Sequence, residues 1–160
     1  MALNAQFYPV PFSDLTEKAN EGTAETILGS MTLPPHIFRE LGDGIRITAA
    51  FAYALNANLK TVKLYFGSST DTVNGRAAPD NGSFVIIQAL IINKGSFQRS
   101  ISTLFSGIDG FAINMIRAYT EVISGPIRIR IAGQSDTASG DITSRILKVE
   151  YIPAGNGFPI

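Results

Sequence analysis

The chain has 160 residues, thirteen basic and thirteen acidic, for a formal net charge of zero, and it contains no cysteine. That length suits one domain with a sizeable core. A neutral chain carries no bulk field that would steer it to nucleic acid or an anionic membrane, and the lack of cysteine excludes disulfides, thiolate metal sites and cysteine nucleophiles.

Charged residues make up 16% of the sequence against 45% apolar. A sparsely charged exterior around an ordinary core suits a subunit that hides part of its outside in an assembly. The N-terminus has no basic region followed by an apolar run, so no secretory leader is expected. No apolar run approaches the roughly 18 residues of a membrane span.

Residues 1–23 differ from the rest. Phe7-Tyr8-Pro9-Val10-Pro11-Phe12 combines three aromatics with two prolines and shows no period. Proline favours extended backbone at its own position and at the one before it. An extended arm is expected, its aromatics covered by a neighbouring subunit, with one helical turn at Asp14 to Lys18 where Asp14 and Glu17 have capping-box spacing.

From Ala24 the signal is strands. Leu33-Pro34-Pro35 leads to a Gly42-Asp43-Gly44 turn. Ile45, Ile47, Ala49, Phe51 and Tyr53 then share one face, opposite Arg46, Thr48, Ala50 and Ala52. After the short connection 55–58, Val62, Leu64 and Phe66 alternate with Thr61, Lys63 and Tyr65, and the two strands are expected to form a hairpin. Residues 71–82, rich in Asn, Asp, Gly and Pro, are expected to be a long polar loop.

Residues 83–93 are apolar on both faces, with Phe84, Ile86, Leu90 and Ile92 on one and Val85, Ile87, Ala89 and Ile91 on the other. Such a strand is central in a domain or lies at a subunit interface, and Val85, Ile87, Ala89 and Ile91 are the candidate interface residues. Residues 97–104 form a weaker strand. The stretch 111–123 suits a helix or a strand, and strand is preferred in all-β surroundings. Ile127, Ile129 and Ile131 point inward between Arg128 and Arg130, and 142–152 closes the domain before a short tail at 154–160. The count of seven or eight strands predicts an antiparallel β-sandwich of jelly-roll type over 24–153.

Little in the sequence points to chemistry. His36 is the only histidine, so neither a triad nor a multi-histidine zinc site can be assembled around it. Asp43 is best explained as a turn residue. Asp71, Asp80 and Asn81 lack the spacing of a calcium loop, and Asn81-Gly82 and Gly107 to Gly110 are turn signals. No phosphate-binding Gly-Lys-Ser/Thr motif occurs. Arg128, Arg130, Arg145 and Lys148 could meet an acidic surface, but no interleaved aromatics accompany them, and a solvated strand face accounts for them. No catalytic residue, metal or cofactor is expected.

The order Leu33-Pro34-Pro35, Gly42-Asp43-Gly44-Ile45-Arg46-Ile47, Lys60 to Gly67, Ile127 to Gln134, Thr137 to Ile142 and Val149-Glu150-Tyr151 resembles small jelly-roll proteins of tailed-bacteriophage particles. The resemblance covers roughly 24–153 and leaves the arm unmatched. It implies a non-enzymatic virion protein, commonly trimeric. Such a protein would be a capsid decoration (cement) protein on the head surface, bound to the major capsid protein, or else a head-fibre or tail-associated module that binds a host-surface glycan. Under that likeness Phe7, Tyr8, Pro9, Val10, Pro11 and Phe12 would anchor the arm to the capsid. Neither nucleic acid nor membrane is expected as a partner.

Overall fold

In the computed structural model, which describes residues 12–68, 70, 72–79, 82–107, 112–137 and 139–155, every regular element is a β-strand. The strands are β1 (Phe12–Asp14), β2 (Lys18–Ala19), β3 (Thr26–Leu33), β4 (Gly44–Tyr53), β5 (Lys60–Phe66), β6 (Thr72–Ala78), β7 (Phe84–Asn93), β8 (Gln98–Ser106), β9 (Ala112–Tyr119), β10 (Ile127–Ser135) and β11 (Ile142–Ile152). The larger sheet has the order β1-β11-β4-β7-β8-β9, with β2 also on β11, and the smaller has the order β3-β10-β5-β6. All pairings are antiparallel. The result is the expected antiparallel β-sandwich of jelly-roll type.

Period-two alternation decides which side chains enter the space between the sheets. Ile45, Ile47, Ala49 and Phe51 of β4 meet Val62, Leu64 and Phe66 of β5 and Ile127, Ile129 and Ile131 of β10 in one core. Phe66 makes edge-to-face contacts with Phe38 and Tyr119, at centroid distances of 6.5 and 5.4 Å. Each side of the sandwich also has a polar latch between sheets. Ser102 Oγ of β8 donates to Val73 O at 3.0 Å, and Ser144 Oγ of β11 donates to Leu28 O at 3.2 Å.

Several expectations are corrected. β4 and β5 do not form a hairpin. They lie in different sheets, and the 54–59 segment turns the corner between them. Residues 72–78 form β6, an edge strand on β5, where a loop was expected. Asn74-Gly75 looks like a turn dipeptide, yet Asn74 is buried and its Oδ1 accepts from the Gly75 N–H at 2.8 Å inside the strand.

Part of the expected arm, within residues 12–19, belongs to the sandwich. Phe12, Ser13 and Asp14 pair with Val149, Lys148 and Leu147, and Lys18 and Ala19 pair with Ser144 and Thr143. Asp14 caps a turn by accepting from the Thr16 N–H at 2.9 Å, and no helical turn forms. The ambiguous stretch is a strand over Ala112–Tyr119, as preferred.

Candidate interaction face

The side chains that β11, β4, β7, β8 and β9 turn away from the core form a striped surface. Register alone sets the stripes. Ile146, Ala50, Ile86 and Phe105 align in one apolar row. Lys148, Thr48, Gln88, Thr103 and Asn114 align in the next, and Glu150, Arg46, Leu90, Ile101 and Ile116 in the third. Over β7, β8 and β9 the pattern is therefore apolar, polar, apolar.

This face leaves large hydrophobics in water. Phe84 is 54% exposed, Ile101 51%, Phe105 43% and Ile116 69%. Singly exposed apolar residues are ordinary, but a contiguous set across three strands marks an interaction surface. In the polar row Thr103 Oγ1 donates to Asn114 Oδ1 at 2.8 Å. Charges sit at the β11 and β4 side, where Lys148 Nζ meets Glu150 Oε1 at 3.0 Å beside Arg46. A shallow depression of about 190 Å³ opens between Arg46, Gln88, Leu90, Ile101 and Thr103.

The expected interface residues lie on the other side of β7. Val85, Ile87, Ala89 and Ile91 are buried in the core of the single chain. They face the smaller sheet, so a second subunit could reach them only by opening the sandwich. The face of β7 that is open to a partner carries Phe84, Ile86, Leu90 and Ile92. Of the expected anchoring residues, Phe7, Tyr8, Pro9, Val10 and Pro11 lie outside the described residues. Phe12 is half-buried against its own core, so the fold already occupies it.

Other polar groups hold the fold. Asp43, nearly fully buried, accepts from the backbone N–H groups of Arg39 (2.6 Å), Glu40 (2.9 Å) and Ala154 (2.8 Å). Burial raises its pKa, but these donors and the Tyr151 hydroxyl outweigh that and hold the carboxyl below its usual range. Asp141 accepts from Asn56 Nδ2, Asn58 Nδ2 and Ser135 Oγ, at 2.7, 2.8 and 2.6 Å. On the outside of the smaller sheet, Glu25 accepts from Lys63 Nζ at 2.6 Å and from the Tyr65 hydroxyl at 2.9 Å, and the Arg130 guanidinium lies 5.0 Å over the Tyr65 ring.

The four basic residues singled out in the sequence do not form one stripe. Arg128 and Arg130 belong to the smaller sheet, where Arg128 Nε donates to Ser30 Oγ at 2.8 Å. Arg145 and Lys148 belong to the larger sheet, where each meets a glutamate, Glu17 and Glu150 respectively. His36 is an exposed turn residue with φ 57°, and its N–H donates to Ile123 O at 3.0 Å. Among the described residues no three His, Cys, Asp or Glu side chains come together as metal ligands.

A two-sheet sandwich with an apolar outer face is a geometry that solved structures can be compared with. The lectin UEA-II, solved in complex with galactose, superposes with a TM-score of 0.51 at 5% identity, covering 91% of this chain and 100% of the lectin. The fold is shared with that lectin. The CBM2 module of the evolved Dit of Lactobacillus casei BL23 phage J-1 is similar at a TM-score of 0.42 and 14% identity, covering 80% of this chain and 70% of the module. VP2 of the infectious bursal disease virus subviral particle is similar at 0.39 and 16%, covering 98% of this chain and 37% of VP2. No family model and no curated protein sequence matches the chain.

Proposed function

We propose that this chain is a non-enzymatic structural protein of a tailed-phage virion, a capsid decoration protein that assembles with copies of itself and attaches to the major capsid protein through residues 1–11. The observation that carries this reading is the pair of exposed apolar rows on the outer face of a β-sandwich of zero formal net charge. A surface of this kind is suited to burial against protein. The sequence resemblance supplies the particle and the trimeric expectation.

An arm of residues 1–11 would serve as a tether. Residue 12 begins an edge strand on β11, so whatever precedes it leaves from the rim of the larger sheet. Several arms on one oligomer would bind multivalently, so that weak contacts sum to firm attachment. Co-sedimentation with purified capsids tests the proposal. The intact protein should pellet with capsids, and a variant lacking residues 1–11 should stay in the supernatant while remaining folded. Equal pelleting of both removes the anchoring role.

The fold shared with a galactose-complexed lectin favours a second reading, a head-fibre or tail-associated module that binds a host-surface glycan. The depression beside Arg46, Gln88 and Thr103 is where a sugar would find polar groups next to an apolar floor. A glycan array reports on it directly: specific binding that Gln88→Ala abolishes would establish this reading over the first.

A further inference from the structure

We infer that the outer face of β7, β8 and β9, with β4 and β11 beside them, packs against the same face of a second copy of this chain. This rests on the self-assembly part of the reading above and names its surface and partner; a face that meets itself is a two-fold contact, so the unit it forms is a pair in place of the trimer that the sequence resemblance implies.

Three features of the face point to a copy of itself. The first is the stripe order. Face-to-face packing of two identical sheets places a two-fold axis in the interface plane, along the strands or across them. In both cases the central row of Thr48, Gln88, Thr103 and Asn114 meets its own counterpart, and the apolar rows of β7, β8 and β9 meet apolar rows, with Arg46 and Glu150 of β4 and β11 at the margin. Amide and hydroxyl side chains both donate and accept, so this uncharged row can hydrogen-bond to itself.

The second feature is charge. Over β7, β8 and β9 the three rows contain no charged residue, whereas Arg99 is in the row beyond them, aligned with Ile92 and Ala118; on β11 Lys148 is paired with Glu150, with Arg46 of β4 beside them. The centre of the face therefore sets no like charges against a copy, and the charges lie at its margins. The third is area. Five strands spaced about 4.8 Å apart, each presenting about nine residues at roughly 3.4 Å per residue, cover about 700 Å². That is close to the roughly 800 Å² that each partner contributes to a standard stable interface.

Sedimentation equilibrium of the intact chain and of Ile101→Lys/Ile116→Lys, with Thr32→Lys on the outside of β3 as control, provides the test. The wild type and the control should have twice the mass of one chain; three times that mass would overturn the inference, because a face that meets itself cannot close a three-fold ring. The double variant should have the mass of one chain, with an unchanged far-ultraviolet circular dichroism spectrum. A wild type of single-chain mass overturns the inference, and so does a double variant that keeps the larger mass.

Because the chain lacks cysteine, a second measurement is independent of the lysine variants. Gln88→Cys should cross-link copies through a short bis-maleimide, and Thr32→Cys should not. Equal yields, or no cross-link at Gln88→Cys, would also overturn the inference. Capsid co-sedimentation is scored separately. An assembled wild type that ignores capsids removes the virion reading and leaves this face intact, whereas a single-chain wild type that pellets with capsids does the reverse.

Discussion

Asn56 Nδ2 donates to Asp141 Oδ1 at 2.7 Å, tying the corner between β4 and β5 to the residue that opens β11. Asn58 Nδ2 and Ser135 Oγ supply the other donors to the same carboxylate. Lys60 Nζ, fully buried, donates to Asn56 O and Asn56 Oδ1 at 2.7 and 2.8 Å and to Asn58 O at 3.2 Å. The corner carries the chain from one sheet to the other, and it is held by buried polar groups that depend on one another.

Removing the acceptor should therefore be costly. Asp141→Ala leaves two half-buried amides and a buried hydroxyl without their acceptor beside a buried lysine, and should cost about 2–3 kcal/mol of folding stability. Urea unfolding followed by circular dichroism measures it. A loss below about 1 kcal/mol would show that water replaces the carboxylate without penalty.

The same carboxylate predicts a pH dependence. Burial raises its pKa, but hydrogen bonds from Ser135, Asn58 and Asn56 and the charge of Lys60 outweigh that, so the folded-state value lies below the usual one. A depressed pKa means that the stabilisation is fully present above the unfolded value, about 3.9, and is lost as pH falls through the lower folded value. Wild type should lose stability faster than Asp141→Asn over that acid range. Parallel curves would contradict this.

Asp43 and Tyr151 make a second pair with opposite signs. Tyr151 is half-buried and its hydroxyl bonds to Asp43, and desolvation followed by that bond pushes its pKa well above the ordinary tyrosine range. Its contribution is intact below the unfolded value of about 10 and is lost only as pH rises through the higher folded value. Tyr151 should thus stay protonated in a spectrophotometric titration until the protein unfolds in alkali. In Asp43→Ala its titration should move to lower pH, and the tether between residues 39–43 and 154 should open.

How much of this was legible in the sequence differs by element. β4 was legible because its alternation is clean: Ile45 to Tyr53 face in and Arg46 to Ala52 face out. β10 was equally clear, with isoleucines inside and arginines outside. β7 was legible as a strand but not in orientation, since both of its faces are apolar and periodicity cannot tell a core face from an interface face. Only the register with β4, which aligns Ile87 with Ala49 and Ile86 with Ala50, settles the matter. The striped face could not be seen at all, because its rows join residues 11 or more positions apart through strand pairing. The Asp141 site was hidden for the same reason, its donors lying at 56, 58 and 135.

β6 was missed because Asn74-Gly75 has the composition of a turn. The structure gives that glycine another reason. A Cβ at Gly75 would stand 2.8 Å from the backbone oxygen of Val62, which is fixed by the β5 ladder. Gly75→Ala must push β6 away from β5 and should cost about 1–3 kcal/mol. Hydrogen exchange should quicken along Thr72–Ala78 and stay slow in β10. Unchanged protection in β6 would mean that the edge absorbs the methyl group without moving.

The two faces of β7 give the most direct comparison between fold and assembly. Ile87 is fully buried between the sheets, and its neighbour Ile86 lies in the apolar row outside. Ile87→Ala leaves a cavity that the packed core fills only in part, and should lower the stability of the isolated chain by about 2–5 kcal/mol. Ile86→Ala removes side chain that the isolated chain leaves partly in water. It should cost under about 1 kcal/mol at protein concentrations too low for association. At high concentration the order of effects should change: Ile86→Ala should shift the association equilibrium, while Ile87→Ala should shift only the fraction folded. Chemical unfolding at two protein concentrations, with mass measured by sedimentation in the absence of denaturant, separates the two. If Ile86→Ala destabilised the dilute chain as much as Ile87→Ala, the outer row would be part of the monomer's own packing and not a surface held open for a partner.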